Sequence, residues 1–331
     1  MLEPATLADQ LLNRWQRGFP LTKRPFAQVG QAQGATETEV LDACIRLQAS
    51  GAISRIGGVW APGAGGAALL CAMAVPPDRL LAVAGLVSAH PGVNHNYERE
   101  HTLNLWFVIT GPDQAQLDRT LAVIERDAAL PVLRMKMVRH YHVDLGFDLT
   151  GAPHARAQSH AAAPVHARAP RVRPEHQRLA ALLEDGLPLV PAPFDGWAAQ
   201  LGCAADDVPR QLQAWLDAGT LRRFGLIVRH HELGFDANAM TALDVPDNEA
   251  GALGQRLAAQ PGITLCYQRE RAAGWPYNLY CMVHGRSREQ TLQLLHAAIA
   301  AAGLDGRPRQ TLFSRRRFKQ TGARYFTPSG S

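Results

Sequence analysis

His90-Pro91-Gly92-Val93-Asn94-His95-Asn96-Tyr97-Glu98-Arg99, continued by Asn104-Leu105-Trp106-Phe107-Val108-Ile109-Thr110-Gly111, is a stretch that this chain contains twice. Pro91, Gly92, Tyr97 and Arg99 recur as Pro261, Gly262, Tyr267 and Arg269, displaced by 170 positions. Asn104, Leu105 and Gly111 recur as Asn278, Leu279 and Gly285, displaced by 174. The four extra positions lengthen a loop that holds Gly274-Trp275-Pro276-Tyr277. Upstream, Gly18, Pro20, Leu21, Pro25, Phe26, Val40, Gly51, Arg55 and Gly57 recur at a constant displacement of 168 as Gly186, Pro188, Leu189, Pro193, Phe194, Val208, Gly219, Arg223 and Gly225. A period this long describes two complete modules in tandem and not the stacked short units of a solenoid.

Each module reads as two domains. In the first, residues 7–17 carry apolar positions at helical spacing, Gly18 to Leu21 breaks the helix, a second helix is expected near 26–30 and a third over 36–49, closed by Gly51. A short strand over 53–56 completes the outline of a winged helix-turn-helix domain. From residue 67 the order becomes βαββαβ: strands to 75, near 99, over 103–109 and 132–143, with helices over 78–88 and 113–127. That is a ferredoxin-like unit, an antiparallel sheet with both helices on one face. The fold class is therefore α+β, with winged helix-turn-helix-like domains at 1–62 and 173–230 and ferredoxin-like domains at 63–150 and 231–326. Residues 151–172, made of Ala, His, Arg and Pro without hydrophobic periodicity, read as a flexible linker, and its histidines (His154, His160, His166) as part of that tether and not a metal site.

Composition narrows the function classes. No apolar run approaches the roughly 20 residues that cross a bilayer, and the N-terminus lacks a signal-peptide pattern, so a soluble cytoplasmic protein is expected. Five cysteines without a C-x-x-C pair suggest neither a disulfide framework nor a thiolate metal site. The net charge is +5 and the only lysines are Lys23, Lys136 and Lys319. Arginine grips carboxylate or phosphate through a planar fork, so this bias suits a polyanionic ligand, although a GC-rich genome produces it too.

A helix-turn-helix followed by a ferredoxin-like domain resembles the Lrp/AsnC family of transcription regulators. Against DNA reading stand the third helices, which carry Glu37, Glu39 and Asp42 in one module and Asp206, Asp207 and Asp217 in the other, repulsive toward phosphates. The motifs resemble something narrower. Residues 94–107 and Tyr141 to Phe147 are similar to the first subunit type of the siroheme decarboxylases. Residues 222–225, 229–235, 237–240, 266–269 and 275–280 are similar to the second type.

The resemblance implies a natural fusion of two subunits, an intramolecular pseudo-heterodimer whose partner is siroheme, with no DNA and no membrane. It implies a carboxy-lyase that converts the acetate groups at positions 12 and 18 to methyl groups, in heme d1 or alternative heme biosynthesis. No cofactor is implied, because the iron belongs to the substrate and no protein metal site is called for. Such chemistry asks for a proton donor with a pKa near working pH, for arginines and for aromatic walls. His101, His142, His230 and His231 are the candidate catalytic residues, and His95, Tyr97, Arg99, Arg223, Arg229, Tyr267, Arg269, Trp275 and Tyr277 the candidate substrate-binding ones. Each histidine alone reads better as a packed or solvated ring, and only the set in the matching motifs points to the proton donor; the alternative is an Lrp/AsnC-like transcription regulator or a heme-binding sensor.

Overall fold

The computed structural model describes residues 6–143, 169–229 and 237–326. In chain order the first module contributes α1 (Leu7–Arg14), α2 (Pro25–Gln33), α3 (Glu37–Ala49), β1 (Ile53–Trp60), β2 (Ala67–Met73), α4 (Leu80–Ala89), β3 (Val93–Arg99), β4 (Leu105–Gly111), α5 (Gln114–Ala128) and β5 (Leu133–Val143). The second repeats this order as α6 (Gln177–Asp185), α7 (Pro193–Leu201), α8 (Asp207–Asp217), β6 (Leu221–Val228), β7 (Ala237–Leu243), α9 (Ala250–Ala258), β8 (Ile263–Arg269), β9 (Leu279–Gly285), α10 (Arg288–Ala301) and β10 (Arg309–Gln320). Most of the expected linker lies outside the described residues. Its end does not: Val172 is buried and its N–H bonds Ala64 O at 3.1 Å.

The described residues form two compact units, and each unit takes one domain from each module. The first joins the two winged-helix domains through their wings. β1 and β6 pair antiparallel with Gly57 opposite Gly225, and this pairing extends the wing to Trp60, beyond the 53–56 expected. Gly225 is required here because a Cβ would stand 2.4 Å from Trp15 O. Phe19 fixes the junction, edge-on to Trp15, Phe26 and Phe224 at 5.5–6.2 Å. The acidic residues of α3 have structural employment: Thr36 and Glu39 form a capping box, and Glu37 pairs with Arg24.

The second unit is a closed barrel with strand order β10-β3-β4-β2-β5-β8-β9-β7. Each module supplies four antiparallel strands, and closure comes from exchange of the last ones: β5 pairs with β8 and β10 with β3. Docking is reciprocal. The Tyr141 hydroxyl lies 2.9 Å from Ala250 O, with its ring over Gly254 of α9, while Lys319 Nζ donates to Ser88 O and His90 O at the end of α4. Strand alternation separates two outer cores from an inner one. On β4, Leu105, Phe107 and Ile109 face α4 and α5, whereas Trp106 and Val108 face the barrel interior with Leu70, Met135, Met240 and Leu312. An eight-stranded barrel is wide enough for side chains to fill or to hold one small ligand.

The repeated asparagines explain why the duplicated stretch folds alike twice. Asn104 accepts from Val75 N–H (2.9 Å) and donates to Val75 O (2.8 Å), and Asn278 does the same with Val245 (3.1 and 3.0 Å). The carbonyls of both then accept from Arg99 N and Arg269 N, each at 2.8 Å. Cys44, Cys71, Cys266 and Cys281 are buried free thiols and Cys203 is exposed.

Candidate functional site

Two bulges decide where the chemistry points. Val93 packs toward the helices, and strict alternation would send His95, Tyr97 and Arg99 the same way. A register shift between Val93 and His95 turns them instead, leaving His95 opposite Val108 and Tyr97 opposite Trp106 on the inner face. The second copy shifts between Ile263 and Leu265, so that Tyr267 stands opposite Tyr280 and Arg269 follows it inward.

The result is a duplicated pair of inward guanidinium groups, Arg99 buried and Arg269 partly buried. Arg99, 6% exposed, donates from Nη1 to Leu312 O (3.0 Å) and to Asn238 Oδ1 (3.3 Å), and sits 5.6 Å over the Tyr97 ring. Arg269 donates from Nη1 to Met135 O (3.0 Å) and lies 5.3 and 5.8 Å from the rings of Tyr267 and Tyr280. Each acceptor carbonyl belongs to the last strand of the other module, so both sites are composite. Neither arginine has a carboxylate partner among the described residues, and the Nε of each is buried without an acceptor. Burial draws the Arg99 guanidinium down to about 10 and lowers Arg269 as well. A buried cation without a counter-ion is costly. With Nη1 engaged, each fork keeps its Nε/Nη2 edge, the edge that takes a carboxylate in bidentate fashion.

The histidines and aromatics divide between those brought together and those kept apart. His95 stacks on Tyr97 at 6.1 Å and is held near 4 by burial, then by Arg99, so it is neutral at pH 7. His101 accepts the Leu103 N–H at Nδ1 (3.0 Å), which places the neutral ring's proton on Nε2, and burial lowers its pKa. Its ring meets the edge of Trp275 at 5.3 Å, and Trp275 in turn packs on Trp106 (5.3 Å) and Tyr277 (4.7 Å). The longer loop of the second module thus delivers an aromatic cluster to a histidine of the first. Trp275 Nε1 donates to the Tyr280 hydroxyl at 2.7 Å, and burial pushes Tyr280 up to about 12. His142 lies on β5 opposite Cys266, two residues beyond His140, which stands opposite Tyr267.

Arg223 and Arg229 belong to the other unit. Arg223 is buried, its Nη1 on Gln16 O and Leu226 O, so it braces the junction of the winged-helix domains. The Arg229 N–H bonds Ala52 O at 2.8 Å. His230 and His231 lie outside the described residues. An open groove of about 520 Å³ on the second winged-helix domain, lined by His176, Leu179, Val208 and Arg210, contains none of the predicted residues. No group of three His, Cys, Asp or Glu poised for a metal occurs among the described residues. Asn238, Ser314 and Tyr280 were missed by the sequence reading. Only Asn238 and Tyr280 left a signal, standing inside motifs quoted above.

The duplicated sheets are of the AsnC-like ligand-binding class: an AsnC-like ligand binding domain model matches residues 64–142 and 232–319. A siroheme decarboxylase NirDL-like HTH domain model matches residues 9–53. The siroheme decarboxylase NirDL subunit of Paracoccus denitrificans is 41% identical over 95% of this chain and 95% of its own. The separate NirL and NirD subunits of Stutzerimonas stutzeri are 48% and 46% identical over 46% and 43% of this chain, and 89% and 94% of their own. A crystal structure of the siroheme decarboxylase NirDL in co-complex with an iron-uroporphyrin III analogue superposes with a TM-score of 0.67, at 28% identity over 96% of this chain and 94% of that one. The chain belongs to the siroheme decarboxylase family, in its fused NirDL form. No helix among the described residues is long and apolar enough to cross a membrane.

Proposed function

We infer that this chain decarboxylates siroheme, removing the acetate carboxyls at positions 12 and 18 to give 12,18-didecarboxysiroheme for heme d1 or alternative heme biosynthesis. The observation that carries the site is the pair of inward guanidinium edges, Arg99 buried and Arg269 partly buried, each without a counter-ion among the described residues and each built by both modules. A flat polycarboxylate supplies the missing anions, and Trp106, Trp275, Tyr277, Tyr97 and Tyr267 supply walls. In each step the bond between the acetate methylene and its carboxyl carbon breaks, carbon dioxide leaves, and the electron pair passes into the macrocycle. A proton then completes the methyl group, with no net change of redox state. No cofactor enters this scheme, and the iron is part of the substrate.

The proton source is drawn from His101, His142, His230 and His231, with His95 as a binding residue. Burial lowers the pKa of His101, and a substrate carboxylate beside it raises that pKa, which suits the ring to serve as an acid. Arg223 braces the winged-helix unit through its Nη1 in this reading, and Arg229 stays a candidate substrate-binding residue. DNA binding is not part of it, since the acidic residues of α3 and α8 serve the helix cap and local ion pairs. The test is anaerobic incubation with siroheme followed by mass spectrometry. A tetrapyrrole lighter by two carbon dioxide units is expected, and unchanged siroheme returned from a stable complex would make the chain a sensor.

A further inference from the structure

The two guanidinium sites are repeats of one another, yet they are not equally held. Arg99 has a second acceptor, Asn238 Oδ1, and that oxygen is itself fixed because the Ser314 hydroxyl donates to it at 2.6 Å. Asn238 is 2% exposed, at the start of β7, and Ser314 stands opposite Arg99 on β10. In the other half, the positions equivalent to Asn238 and Ser314 in the repeat are Ala68 and Met137, neither of which offers a side-chain oxygen. Arg269 accordingly keeps one carbonyl, Met135 O.

We propose that Asn238 and Ser314 are positioning residues that aim the Arg99 fork at a substrate carboxylate, which makes the Arg99 half of the site the more rigid. This rests on the reading of Arg99 as a carboxylate-binding residue. The amide of Asn238 has two ends, an acceptor and a donor, and only the acceptor suits a guanidinium. Ser314 selects that end by donating to Oδ1. With Nη1 tied to both Asn238 and Leu312, rotation of the guanidinium about its stem is stopped and the Nε/Nη2 edge is held in one direction. Groups that grip a reacting molecule must be held to about 0.5 Å, and packing with supporting hydrogen bonds is what achieves it.

Asn238→Asp tests whether position 238 reaches the charge that Arg99 offers the substrate, and the Ser314 variants test the positioning itself. Aspartate is isosteric with asparagine and places a carboxylate against Arg99, neutralising the charge that the substrate would otherwise meet. Siroheme affinity, titrated anaerobically by absorbance on the full chain, is expected to fall about tenfold or more while the thermal midpoint holds or rises. Ser314→Ala is expected to weaken binding in the same direction and Ser314→Thr, which keeps the hydroxyl, to restore it. Arg99→Ala serves as the reference. If Arg99→Ala weakens binding but Asn238→Asp and Ser314→Ala bind like the parent, the positioning proposal alone is overturned. If Arg99→Ala itself binds like the parent, the reading of the site falls and the proposal with it.

Discussion

Replacing Arg269 with Met should leave the protein as stable as before, or more so, while crippling its grip on siroheme. The expectation follows from the balance of forces around a partly buried cation whose Nε is out of water. Taking a guanidinium out of water costs several kcal/mol even after relaxation. Against this, Arg269 has one charge-assisted bond to Met135 O at 3.0 Å, which contributes about 1.5–3 kcal/mol, and two ring contacts at 5.3 and 5.8 Å, each contributing roughly 0.5–1 kcal/mol. The two sides nearly cancel, and its Nε still lacks an acceptor. Methionine keeps most of the stem volume and removes the desolvation cost, so the change in stability should lie between zero and about 3 kcal/mol in favour of the variant. Affinity should fall by roughly 10- to 100-fold, the loss expected when a charged hydrogen-bonding pair with a carboxylate is removed. Arg269→Lys should recover only part of it, because a point charge cannot form the bidentate pair. Thermal unfolding and anaerobic absorbance titration read the two quantities separately. A variant that loses about 3–5 kcal/mol of stability yet binds siroheme normally would identify Arg269 as a structural brace and refute the reasoning.

Cleavage of the chain between residues 151 and 168 should leave the halves associated one to one at micromolar concentration, since β5 and β10 are each hydrogen-bonded into the other module's sheet; halves that elute apart would contradict the strand exchange. His101→Ala or His142→Ala should cost between about 10² and 10⁴ in turnover while retaining the absorbance of bound siroheme. Loss of binding in step with turnover would make these residues structural instead. His95 is held near 4 in the folded state, below its ordinary 6.5, so the unfolded chain takes up the proton first as pH falls. Stability should therefore be level above pH 6.5 and decline by up to roughly 3 kcal/mol between 6.5 and 4, and His95→Gln should flatten much of that slope. His90 and His101, also lowered by burial, add to the decline in the same direction.

The duplication made most of this architecture legible, because Gly51 and Gly219, or Asn104 and Asn278, occupy matching turns and clamps in both copies. The barrel was less so. Two sheets meeting face to face follow from an exposed inner face, but edge-to-edge closure depends on β5 and β10 running past their own modules, and nothing in their periodicity separates the part paired at home from the part paired abroad. The bulges were invisible for a similar reason. Alternation counted from Val93 assigns Arg99 to the helical face, and one inserted residue reverses that. Arg223 shows the same limit: arginine in a family motif reads as a ligand for siroheme, and that its Nη1 donates to the Gln16 and Leu226 carbonyls is something no sequence pattern announces.

The most direct test of decarboxylation in this site is turnover in deuterium oxide, with the full chain, siroheme and strict exclusion of oxygen. Each acetate should lose carbon dioxide and gain one hydrogen from an exchangeable donor, giving a product lighter by two carbon dioxide units in which each new methyl group carries one deuterium. Arg99→Met together with Arg269→Met should abolish that product. Siroheme recovered intact, or a product with methyl groups free of deuterium, would contradict the account.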